Sequence, residues 1–227
     1  ASDAPLSGAQ GLALSPSAAP CRIGMFGGAF DPPHRAHRAL AEAALDQLDL
    51  DALHIMPTGQ AWHKARALTP AMHRVAMCQR AFGDLPRTCI DTREATRQGP
   101  SYTADTLAEL ARGYPGAMLY LVLGADQLLA FKSWVRWAEV LERAQLAAAS
   151  RALHIGADAA LDQREEMDLS SVDLPFVRLS MPLTNISASA VRARAEQPAT
   201  QSAVLARLLP AGVASYISDH SLYQDPP

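Results

Sequence analysis

Two histidines, His34 and His37, stand three residues apart after the stiff run Asp31-Pro32-Pro33 and the pair Gly27-Gly28. Residues at that spacing share one face of a helix. Two glycines let the backbone turn sharply and bring its amides close to a ligand. A phosphate set against a helix beginning here meets the positive end of the helix dipole and two imidazoles. No Gly-Lys-Ser/Thr follows, so this is not a Walker loop, and the glycine spacing is not that of the dinucleotide fingerprint. Zinc is the competing chemistry, and it needs a third ligand in step, which the segment lacks. A histidine pair on a helix is also common as plain polar surface. The Gly-Gly turn and the Pro-Pro connector shift the reading towards an anion site.

A second constellation lies far along the chain. Ile186-Ser187-Ala188-Ser189-Ala190-Val191-Arg192 begins a helix that Ser187 can cap, with Arg192 in its first turns. Taken alone, that is an ordinary cap and a solvated arginine. Between the two constellations, Lys64 follows Pro57-Thr58-Gly59, and Thr103 and Asp105 are of the types that open helices. Leu123-Gly124-Ala125-Asp126 ends an apolar run, and Trp134 and Trp137 come soon after it.

These residues need elements to position them. Arg22 to Phe26 predicts a strand, Arg35 to Leu48 an Ala-rich helix, and Ala52 to Met56 a second strand halted by Pro57. Thr69 as cap and Pro70 at the first helical position open a helix through Phe82. Thr88 to Asp91 reads as a short strand, Tyr102 to Ala111 as a helix closed by Gly113, and Met118 to Leu123 as a strand buried on both faces. Trp134 to Arg143 reads as helical and Gln145 to Ala149 as a further strand. This alternation supplies the long crossovers that parallel strands need. The expected fold is α/β: a doubly wound, Rossmann-like parallel sheet with a small C-terminal helical part. Such sheets bind ligands at the carboxyl ends of their strands, which points to the loops after Phe26, Met56 and Leu123.

The chain of 227 residues is long enough to bury a real core. Its net charge of −3 argues against a nucleic-acid partner, which calls for a basic face. Three cysteines without CxxC or metal-ligand spacing fit a reducing compartment. No stretch is as long as a membrane span, and residues 1–20 carry neither a basic segment nor an apolar run of signal type. The expectation is a cytoplasmic protein without a membrane partner, with residues 1–20 a flexible tail and residues 21–227 one domain.

The segment from Gly27 to His37 resembles the signature of adenylyltransferases in the nucleotidyltransferase superfamily, Gly-Gly-Thr/Ser-Phe-Asp-Pro-Pro-His-x-Gly-His. The segment from Ile186 to Arg192 resembles that superfamily's second signature. More narrowly, Ser101-Tyr102-Thr103-Ala104-Asp105-Thr106-Leu107 and the His63-Lys64 loop are similar to bacterial nicotinate-nucleotide adenylyltransferases. The resemblance spans residues 21–223. It implies a Rossmann-like nucleotidyltransferase that transfers adenylate from ATP to nicotinate mononucleotide, with Mg²⁺ held mainly by the ATP phosphates.

By the same resemblance, ATP meets Gly27, Gly28, Ala29, Phe30, His34 and His37, with Gly124 and Asp126 by the ribose. Ile186, Ser187, Ser189 and Arg192 meet the phosphates. Asp31, Lys64, Tyr102, Thr103, Asp105 and Trp134 fall on the acceptor side, with Trp134 stacking on the pyridine ring. His34, His37, Lys64 and Arg192 are the implied catalytic group, and Arg151 is a weaker candidate on the ATP side. Two positions depart from the pattern, Ala29 for a hydroxyl residue and Ala36 for glycine. The rivals are the same chemistry on the amide nucleotide or on phosphopantetheine, and a non-catalytic nucleotide-binding module.

Overall fold

The computed structural model of the chain describes residues 20–59, 67–149, 152–153, 165–166, 168–182, 186–195 and 201–224. The expected N-terminal tail therefore falls outside the described residues, except for Pro20. Lys64 and Arg151 fall outside them as well.

The chain runs β1 (Arg22–Gly28), α1 (Arg35–Gln47), β2 (Ala52–Pro57), α2 (Ala71–Phe82), β3 (Thr88–Ile90), α3 (Arg93–Thr96) and α4 (Thr103–Gly113). It continues with β4 (Met118–Gly124), α5 (Ala125–Leu129), a 3-10 turn (Phe131–Ser133), α6 (Trp137–Arg143) and β5 (Ala144–Ala149). Then come β6 (Ala152–Leu153), β7 (Glu165–Glu166), β8 (Phe176–Leu179), α7 (Ala188–Ala195), α8 (Gln201–Leu208) and α9 (Val213–Asp219).

Six strands form one sheet in the order β3-β2-β1-β4-β5-β8, and every pairing is parallel. The chain first grows outward from β1 to β3, then returns to place β4 on the other side of β1. The reversal leaves a crevice outside the carboxyl ends of β1 and β4.

Side chains of a strand alternate between its two faces, and here both faces are buried. Ile23 and Met25 of β1 join Leu119, Leu121 and Leu123 of β4 in one core, covered by Leu107 and Leu110 of α4 and Leu128 of α5. Phe26, Tyr120 and Val122 face the other core, closed by Leu40, Ala44 and Leu45 of α1, Phe82 of α2 and Ile217 of α9. The helices bury these residues at intervals of three or four, the period of one helical face.

Four details differ from the sequence expectation. Strand β1 runs on through Gly27 and Gly28, which pair with Met56 and Pro57. The turn therefore comes later, and the left-handed residue in it is Phe30, at φ 46°. Helix α2 begins at Ala71 with Pro70 as its cap. Thr69 stands one residue before the cap, where its N–H donates to Asp31 and its carbonyl accepts from Arg74. Helix α6 starts at Trp137, three residues late, since Arg136 adopts a left-handed conformation that breaks the helix. The sixth strand, β8, was not expected. It lies at the sheet edge with Val177 and Arg178 exposed, so it lacks the apolar run that marks a central strand.

Candidate active site

A cavity of about 530 Å³ opens at the crevice between β1 and β4, within the range of small-molecule sites. Each residue assigned to ATP in the sequence borders it. Gly27, Gly28, Ala29 and Phe30 come from the end of β1 and its turn, and His34 and His37 from the start of α1. Gly124 and Asp126 come from the end of β4, and Ile186, Ser187, Ser189 and Arg192 from the start of α7. Asp31 and Arg192, 161 positions apart in sequence, thus share one wall, because β1 and β4 are neighbours and Arg192 of α7 bonds to the turn after β1.

The local chemistry prepares this wall for an anion. His34 is the N-cap of α1, and neither α1 nor α7 carries an acidic residue in its first turn. Both helices therefore present the positive ends of their dipoles without a carboxylate of their own in the first turn. The imidazoles of His34 and His37 stack at 3.7 Å with 18° between their planes. The His34 backbone N–H donates to His37 Nδ1 at 3.2 Å. An Nδ1 that accepts carries no proton, so the ring's proton sits on Nε2. The sequence reading gave His37 a place near phosphate; the structure gives it a tautomer.

Phe30 borders the cavity, and its ring is buried against Phe26 and Phe82 at 5.4 and 5.6 Å. That ring lies over Gly28, where a Cβ would sit 3.1 Å from it. A side chain at Gly28 would require the Phe30 ring to shift by a few tenths of an ångström. Arg192 donates to the Asp31 carbonyl at 2.7 Å and to Ser189 Oγ at 3.1 Å. Ser187 Oγ accepts from the Ala190 N–H at 3.2 Å, capping α7.

Asp31 borders the cavity too, yet it is only 2% exposed. Its carboxylate accepts from the Tyr223 hydroxyl at 2.6 Å and from the Thr69 N–H at 3.2 Å. As placed, these oxygens serve the protein's own groups.

Of the acceptor-side residues within the described part, Tyr102, Thr103, Asp105 and Trp134 do not line this cavity. Tyr102 is exposed, just before α4, and Thr103 is the first residue of α4. Asp105 accepts from Arg136 at 2.6 Å, which ties α4 to the turn carrying Trp134. Trp134 packs half-buried against Phe131 at 5.3 Å. Behind them, Thr106 donates to Glu94 at 2.7 Å and accepts from Arg97 at 3.3 Å, so α3 braces α4. Burial pushes the Glu94 carboxyl above the usual range, against the Thr106 bond that lowers it.

Another polar cluster has nucleophile-like residue types. Cys89 Sγ lies 3.3 Å from His54 Nδ1, which is 2.9 Å from Asp91. Burial and the Asp91 charge push the thiol up to about 12, so it stays protonated and is no nucleophile. Among the described residues no group of three His, Cys, Asp or Glu side chains could hold a metal ion. None of the described helices is long and apolar enough to cross a membrane.

Arg74 was missed in the sequence. It is 2% exposed and donates to the carbonyls of Thr69, Ala29 and Gly59 at 2.8, 2.9 and 3.4 Å. Its signal was position: Arg74 sits at i−4 to Cys78 and i−8 to Phe82, on the apolar stripe of α2.

Comparison with known proteins adds to this geometry. The cytidylyltransferase-like family model matches residues 25–194. A protein of Albidiferax ferrireducens named "probable nicotinate-nucleotide adenylyltransferase" is 48% identical over 203 residues, covering 89% of this chain and 98% of the relative. One of the same name from Methylibium petroleiphilum is 37% identical, over 90% of this chain and 93% of its own. Among solved structures, Plasmodium falciparum nicotinic acid mononucleotide adenylyltransferase complexed with NaAD superposes with a TM-score of 0.67 at 16% identity. It covers 89% of this chain and 97% of its own, a likeness of fold.

Proposed function

The chain belongs to the cytidylyltransferase-like family and, within it, to the nicotinate-nucleotide adenylyltransferases, and we propose that its cavity joins ATP to nicotinate mononucleotide. The 5′-phosphate oxygen of the acceptor bonds to the α-phosphorus of ATP, and the bond from that phosphorus to the bridging oxygen breaks. Pyrophosphate leaves with the electron pair, and nicotinate adenine dinucleotide is the other product. A phosphate is already an anionic nucleophile, so the reaction needs no strong base and no covalent intermediate. Catalysis rests on alignment and on neutralising charge.

One observation carries the reading: His34, His37, Arg192 and the positive ends of α1 and α7 border a single cavity at the switch point. In this reading His37 Nε2–H donates to a phosphate oxygen, and Arg192, held by Asp31 and Ser189, faces the departing charge. Lys64 is proposed as a further positive charge from the β2–α2 connection. Tyr102, Thr103, Asp105 and Trp134 form the acceptor side, with Asp105 tied by Arg136 to the segment that carries Trp134. The donor set fits a Mg²⁺ that arrives on the nucleotide, since Asp31 is engaged and Asp126 is the exposed carboxylate on the wall. Bound there, Mg²⁺ would supply neutralisation of phosphate charge. The same reading takes residues 21–227 as one catalytic domain, working in the cytoplasm.

The test supplies ATP and Mg²⁺ with nicotinate mononucleotide, nicotinamide mononucleotide or phosphopantetheine and measures pyrophosphate. Release should be fastest with the acid pyridine nucleotide. Preference for the amide would replace the substrate, and no release with any acceptor would leave a binding module.

A further inference from the structure

Asp31 is where three distant parts of the chain meet. Its carbonyl holds Arg192 of α7, and its carboxylate holds Thr69 from before α2 and Tyr223 from beyond α9. The Tyr223 bond spans 192 positions in sequence and, at 2.6 Å, is a short charge-assisted one. Burial and the neighbouring Asp31 charge push the Tyr223 hydroxyl far above its usual range, so it remains a donor. Arg74 lies under the same turn. Its guanidinium ties the carbonyl of Ala29, next to the cavity glycines, to those of Gly59 and Thr69, at the two ends of the β2–α2 connection.

A buried arginine is a poor way to gain stability, because burial disfavours its charge, and apolar packing would serve as well or better. What an arginine offers is direction: five donors in a fixed fork fix the relative placement of the carbonyls they reach. We infer that Arg74 and Tyr223 are positioning residues for the transfer, acting through the Asp31 turn to keep Arg192 in register with His34 and His37. The inference rests on the reading that those three residues meet the phosphates. Tyr223 brings the end of the chain into that alignment, although it borders no part of the cavity itself.

The experiment uses the full chain. Tyr223→Phe removes the hydroxyl and leaves the ring. The loss should fall on kcat, by about tenfold, with KM for both substrates within about twofold, the pattern of an interaction expressed in the transition state. Arg192→Met should lower kcat further, and adding Tyr223→Phe to it should cost little more, because Tyr223 acts through Arg192. Arg74→Lys should not rescue Arg74→Met, since one ammonium cannot span three carbonyls. Unchanged kcat in Tyr223→Phe with only a lowered melting temperature would reduce Tyr223 to a structural role, as would full additivity with Arg192→Met. Should Tyr223→Phe not fold, Arg74→Met carries the same kcat, KM and additivity comparison. Wild-type turnover is measured first: no pyrophosphate there defeats the proposed function, whereas full turnover of the variants in an active background defeats this inference alone.

Discussion

At the scale of single residues, internal hydrogen bonds and ring contacts hold the donors of the cavity wall in fixed positions. His37 is the sharpest case. Its Nδ1 is occupied by the His34 N–H, and its ring is held edge-on by Phe30 at 5.2 Å. Replacing His37 with Ala removes the Nε2–H donor and the acceptor that satisfies one helix-start amide. Turnover should fall by about 10²- to 10³-fold, the usual effect of losing one preorganised donor to developing negative charge. The loss of the cap should cost about 1 kcal/mol of stability. Steady-state pyrophosphate release and chemical denaturation separate the two effects, and near-normal turnover would remove His37 from the mechanism. Both histidines were legible in the sequence because local spacing and the flanking glycines and prolines marked them. Arg74 was not, because the carbonyls it binds come from three segments that only the fold assembles.

At the scale of elements, helix starts and strand ends do the positioning. Ser187 caps α7 and so shapes the positive end facing the cavity. Ser187→Ala should destabilise the protein by about 1 kcal/mol and weaken ATP binding, read by denaturation and by calorimetric titration. Unchanged ATP affinity would limit the cap to folding. On the far side of β1, a polar network joins β2, β3 and α3: Asp91 accepts from His54 at 2.9 Å and ion-pairs with Arg93 at 2.7 Å. Burial alone would raise the Asp91 carboxyl, but the bonds from His54 and Arg93 outweigh it and hold it far below the usual range. A carboxyl depressed in the fold contributes stability above its unfolded value, near pH 4, and loses it as pH falls below that. Wild-type stability should therefore fall by about 1.4 kcal/mol per pH unit from this group below pH 4. Asp91→Asn, destabilised at neutral pH, should lack that slope. Denaturation midpoints at pH 7, 4 and 3 test it, and parallel curves for the two proteins would contradict the assignment.

At the scale of the whole molecule, the sheet reversal between β1 and β4 gathers residues from both ends of the chain onto one wall. In the proposed reaction Mg²⁺ arrives on the nucleotide rather than residing in the protein. Chelating Mg²⁺ with EDTA should abolish turnover and leave the melting temperature of the nucleotide-free protein unchanged. Adding ATP with Mg²⁺ at a hundredfold excess over its Kd should stabilise the protein by about 2.7 kcal/mol. A fall in melting temperature on chelation alone would reveal a structural metal instead.

By itself the amino-acid sequence determined the parallel α/β class and the two segments that line the cavity. Both are written in local order: continuous apolar runs make buried strands, and short motifs set glycine, histidine and capping serine at fixed offsets. Tertiary structure decided what local order does not encode. Gly27 and Gly28 belong to the strand because they find partners in β2, and Phe30 takes the left-handed turn because its ring has a core to enter. The carboxylate of Asp31 turns to Tyr223, and Arg74 finds its three carbonyls, only once α2, α9 and the end of β1 have packed together. Hydrogen bonds between residues tens to hundreds of positions apart depend on where the sheet places its edges, and no spacing along the chain announces them.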